Sequence, residues 1–87
     1  MVQYHCCLSL DRAREIARDG FYSADTVRVT EHLSKNQARV PDESHGVVVL
    51  GAPWEFRLED YPSDGALGEH LVPARVLNLF ERAVWTV

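Results

Sequence analysis

Residues 4–21 read Tyr4-His5-Cys6-Cys7-Leu8-Ser9-Leu10-Asp11-Arg12-Ala13-Arg14-Glu15-Ile16-Ala17-Arg18-Asp19-Gly20-Phe21. Tyr4 to Leu8 is a short aromatic and apolar run ending at a hydroxyl residue, the pattern of a strand. Ser9 is placed to cap a helix. Leu10, Ala13, Ile16 and Ala17 then recur at helical spacing, while Asp11, Arg12, Arg14, Glu15 and Arg18 occupy the remaining face, so the helix buries one stripe. Gly20 ends it. With a left-handed Gly20 and Phe21 packing back on Ile16, the spacing predicts a Schellman cap.

Outward from this unit the chain continues as alternating short elements. Thr26 to Leu33 sets Val27, Val29, Glu31 and Leu33 against Arg28, Thr30 and His32, and its β-branched content predicts a half-buried strand. Ser34 to Val40 reads as a short helix and 41–46 as a turn. Gly46 to Leu50 is apolar on both faces, as in a central strand covered from both sides, and extends in this reading toward Phe56. Arg57 to Gly68, rich in Asp, Pro, Ser and Gly, reads as an exposed loop. Glu69 to Val72 is a further strand, Pro73 opens a turn or short helix, and Arg82 to Val87 is the last strand.

This order predicts one domain over residues 1–87 of the α+β class. Its expected core is a small split sheet, antiparallel or mixed, with one amphipathic helix after the first strand and a second short helix. The 87 residues hold nine Lys and Arg against thirteen Asp and Glu, a net charge of −4, so bulk charge offers nothing to nucleic acid or anionic lipid. The longest apolar run, Val47–Leu50, is far short of the ~20 residues of a membrane span. The first residues lack the basic and apolar segments of a secretory leader, so a cytoplasmic location is expected. Cys6 and Cys7 are adjacent on a strand and point to opposite faces, which disfavours a bridge and predicts free thiols.

His5 ends the first strand just before a helix, where backbone N–H groups and a polar side chain can face a ligand together. The segment from Tyr4 through Ser9 to Gly20-Phe21 resembles the opening of small ADP-ribosyltransferase-like domains, in which an aliphatic or tyrosine precedes His-Gly-Thr and an amphipathic helix closes on Gly-Phe. Val27-Arg28-Val29-Thr30 resembles the family's second strand, Gly46 to Leu50 its central strand, and Glu69-His70-Leu71-Val72-Pro73-Ala74 the strand with its catalytic glutamate. The resemblance implies NAD as substrate, bound across a split sheet. His5 then sits on the NAD ribose, Cys6 beside the nicotinamide amide and Arg28 or Tyr22 against the dinucleotide, and Glu69, near the nicotinamide ribose, is the catalytic carboxylate.

A carboxylate there has a chemical reason. Breaking the nicotinamide–ribose bond builds positive charge on the sugar, which a fixed carboxylate stabilises. The sequence departs from the family in having Cys6 where a glycine is usual, Cys7 for Thr or Ser, and Arg28 for a stacking tyrosine. A catalytically eroded binding module on the same scaffold is therefore a second reading. A third is a small regulatory domain that forms a homodimer through an exposed edge at Arg82–Val87. The acceptor of any ADP-ribose is unknown: protein, nucleic acid or small molecule.

No metal is expected, because His5, Cys6, Cys7, His32, His45 and His70 include no pair at ligand spacing. Arg12, Arg14 and Arg18 read as a solvated face balanced by Asp11, Glu15 and Asp19. Trp54, Phe56, Tyr61 and Trp85 read as sheet packing, or in the case of an exposed Trp54 as a partner surface.

Overall fold

A computed structural model describes residues 2–7, 9–32, 46–65 and 68–86. In chain order the elements are β1 (Val2–Cys7), α1 (Leu10–Asp19), β2 (Thr26–Thr30), β3 (Gly46–Gly51), a 3-10 turn (Leu58–Asp60), β4 (Ser63–Asp64), β5 (Glu69–Pro73), α2 (Ala74–Leu77) and β6 (Glu81–Thr86). The expected short helix at Ser34–Val40 and the turn after it lie outside the described residues.

The strands form one six-stranded sheet in the order β4-β5-β2-β1-β3-β6, and every pair is antiparallel. This corrects the expected fold class. The sheet is neither mixed nor divided in two, and with only two short helices among the described residues the domain is mostly β, so the ADP-ribosyltransferase-like α+β architecture does not stand. Hydrophobic periodicity identifies strands but not their direction. Direction depends on where the connection delivers the chain: α1 and the segment 20–25 bring Thr26 back to the Cys7 end of β1, since Tyr4 pairs with Thr30. β2 therefore starts where β1 finishes and runs the other way.

Strand limits also differ from the reading. β2 stops at Thr30, where Thr30 Oγ1 accepts the His32 N–H at 3.0 Å and turns the chain. β3 stops at Gly51 rather than reaching Phe56, because the Phe56 N–H is taken by the Pro53 carbonyl at 3.0 Å in a tight turn. Within the predicted 57–68 loop lie the 3-10 turn and the two-residue β4.

α1 forms as its pattern dictates. Ser9 is extended at φ −141° and its Oγ accepts the Arg12 N–H at 3.1 Å, while Ala13 and Ile16 are buried. The helix packs so closely on β3 that a Cβ on Gly46 would lie 2.8 Å from Ala13 Cβ and 3.1 Å from Leu10 Cα. Only glycine fits there. Val29, Val48, Leu50, Val72 and Leu77 fill the core between the sheet and the covering segments, each contributing about 1.5–3 kcal/mol by burial.

The stop signal at Gly20 is used differently from the expectation. Its φ is 87°, as a positive-φ glycine predicts, but ψ is 174°, outside the left-handed helical well of a Schellman cap. The Gly20 N–H bonds the Ile16 carbonyl at 2.7 Å. The Phe21 N–H turns instead to Asn78 Oδ1 at 2.7 Å, and Asn78 Nδ2 returns a bond to the Phe21 carbonyl at 2.9 Å. A side chain from the turn after α2 thus does the work of the last turn of backbone.

Candidate functional site

β1 pairs with β3 along its whole length, and β2 with β5 likewise, whereas β1 and β2 meet only at Tyr4 opposite Thr30. Toward the Cys7 end of β1 the two strands diverge. A ladder hydrogen bond is replaced there by a side chain: His5 Nδ1 bonds the Arg28 carbonyl across the seam at 2.8 Å. A carbonyl only accepts, so Nδ1 carries the proton and Nε2 is the lone-pair nitrogen. The ring is also held edge-on by Phe21, with centroids 5.3 Å apart.

A cleft of about 490 Å³ opens at this divergence, within the usual range of small-molecule sites. His5 and Cys6 of β1, Arg12 of α1, Asp25 just before β2, Thr26 and Arg28 of β2 and Glu69 of β5 supply its polar wall, and Ile16, Phe21, Val27 and Leu71 its apolar one. Of the residues singled out in the sequence, four meet here: His5, Cys6, Arg28 and Glu69. Tyr22 does not. It is exposed beside Phe21 and is not part of the cleft wall.

Glu69 sits at the first position of β5, opposite Thr30 on one side and Asp64 on the other. It is only 2% exposed, so it is no solvated strand-end acid. Its negative charge reaches both the His5 imidazole and the Cys6 thiol, in each case as a smaller influence than burial. Burial dominates at His5 and holds its pKa below the usual imidazole value; the Arg28 carbonyl opposes this, Arg12 adds to it and Glu69 opposes it. The neutral Nδ1–H tautomer is therefore the resting form. Burial, then Glu69, pushes the Cys6 thiol up to about 11, and burial does the same for Cys7. Neither is a thiolate nucleophile at neutral pH. Both cysteines are free.

Arg28 is half exposed and its Nε donates to Asp64 Oδ2 on β4. Arg12 donates from Nη1 to Glu15 Oε1 at 2.5 Å. Arg12 is exposed on the outer face of α1 and paired with Glu15, as the helical pattern implies, and it also lines the cleft. Its signal in the sequence was position, one turn past the His5 strand, and not charge. Asp64 had no signal, lying in a stretch without periodicity. No group of His, Cys, Asp and Glu able to hold a metal ion occurs among the described residues, and no helix among them is long and apolar enough to cross a membrane.

Compared with known proteins, the chain matches no protein-family model, no curated protein and no solved structure.

Proposed function

We propose that the chain binds NAD in the β1–β2 cleft and transfers its ADP-ribosyl group to an acceptor. The observation that carries this reading is the convergence of His5 and Glu69, from β1 and β5, on one ligand-sized cleft with two guanidinium groups on its wall. The residues present fit the substrate: a hydrogen-bond acceptor for a ribose hydroxyl, a buried carboxylate, apolar side chains for a ring, and cations for a pyrophosphate.

NAD supplies a ribose bonded to a cationic nicotinamide, and positive charge grows on the sugar as that bond breaks. Glu69, shielded from water, stabilises that charge more strongly than an exposed carboxylate could and can accept a proton from the incoming acceptor. His5, its Nδ1 proton committed to Arg28, accepts from a ribose hydroxyl through Nε2 and so orients the sugar. Arg12 and Arg28 hold the phosphates. A second reading, binding without turnover, is favoured by Cys6: its side chain is part of the wall where the resembled pattern has none.

Titration with NAD, followed by NMR shifts of His5 and Glu69, together with an assay of nicotinamide release, tests both. Saturable shifts with release lost in Glu69→Gln are expected. Shifts without release in the unaltered protein select the binding module. The absence of any shift at millimolar NAD overturns the reading.

A further inference from the structure

The register of the sheet places Arg28, Leu71, Glu69 and Asp64 on one face, because directly paired residues of an antiparallel sheet point the same way: Arg28 opposite Leu71, and Glu69 opposite Asp64. The Arg28 guanidinium thus spans from β2 over β5 to reach Asp64 on β4. Arg28 is part of the cleft wall and Asp64 is not. One cation of the cleft wall is paired with a carboxylate outside it.

We propose that Asp64 is an internal competitor for Arg28, occupying the guanidinium that a phosphate group of the ligand takes when it binds, and so setting the affinity of the cleft for phosphorylated ligands. The inference rests on the nucleotide reading of the cleft. Its chemistry is simple. An ion pair with the Arg28 side chain 52% exposed is weak, whereas a phosphate offers the planar guanidinium a two-pronged contact and more negative charge. Exchange of Asp64 for phosphate is therefore downhill, and the pair keeps Arg28 ordered when no ligand is present.

Removing the competitor should tighten phosphate binding. By calorimetry, Asp64→Asn is expected to bind ADP-ribose and inorganic pyrophosphate about three- to fivefold more tightly than the unaltered protein. It should leave the affinity for nicotinamide riboside, which carries no phosphate, unchanged. Arg28→Gln should weaken both phosphate ligands about tenfold or more, and Arg28→Lys should recover only part of that because it lacks the fork. Asp19→Asn removes the same charge from the exposed Arg18–Asp19 pair and serves as control.

Equal gains in Asp64→Asn and Asp19→Asn would reduce the effect to net charge and overturn the proposal, as would unchanged affinity or failure of either probe to bind. The two readings fail separately. If Asp64→Asn tightens pyrophosphate but NAD releases no nicotinamide, the phosphate site stands and glycosyl transfer falls; release from NAD with Asp64→Asn unaltered in affinity gives the converse.

Discussion

Replacing Gly20 by alanine tests how α1 is closed onto the rest of the domain. At φ 87° and ψ 174° the backbone lies in a region open essentially to glycine alone, so any side chain adds about 1–3 kcal/mol of strain. The new Cβ would also stand 2.9 Å from Asn78 Oδ1 and 3.3 Å from Asn78 Cγ. Asn78 cannot retreat freely, since its amide grips the Phe21 N–H and carbonyl. Losing those bonds costs about 1–3 kcal/mol more, because part-buried backbone groups are left without partners. The sum is about 2–6 kcal/mol, which for a domain of this size lowers Tm by at least about 8 °C. Thermal and urea unfolding followed by circular dichroism measure it. Asn78→Ala alone should cost about 1–3 kcal/mol, and the double variant about 1 kcal/mol less than the sum of the two, because the clash disappears with the amide. A Gly20→Ala protein within about 1 kcal/mol of the original, or strict additivity in the double variant, would refute the linkage of cap and clamp.

Three further outcomes are expected. Gln3 is fully buried opposite Leu50, and neither its Nε2 nor its Oε1 has a hydrogen-bond partner; Gln3→Leu should therefore stabilise the domain by about 1–2 kcal/mol, read as a higher urea midpoint at unchanged slope. His5 resists protonation in the folded state, so the unfolded chain binds the extra proton as pH falls through about 6.5 and stability drops below that point; urea unfolding at pH 7 and pH 5 should show a smaller loss in His5→Gln than in the unaltered protein. Cys6 and Cys7, both raised to about 11, should react with iodoacetamide far more slowly at pH 7 than an unfolded-chain thiol, as mass spectrometry after timed quenching would reveal.

Much of the local structure was legible from residue order. Ser9, the Ala13 and Ile16 stripe and Gly20 delimit α1 because capping, one-sided burial and positive φ are properties of a few neighbouring residues. Val47, Val48 and Leu50 are buried as their two-faced apolar pattern implies. His5 stood out by its place at the end of a strand before a helix and Glu69 through the family resemblance, and both line the cleft.

What residue order alone determined is where α1 starts and stops and where the longer strands lie, since these follow from interactions within a turn or a pleat. Tertiary structure decided the direction of every strand, the divergence of β1 from β2 that opens the cleft, the burial of Glu69, the entry of Arg12 and the exclusion of Tyr22. It also decided the grip of Asn78 on Phe21 and the pairing of Arg28 with Asp64. The partners in each of these lie far apart along the chain, and only the closing of the sheet brings them within reach, so no local pattern could encode them.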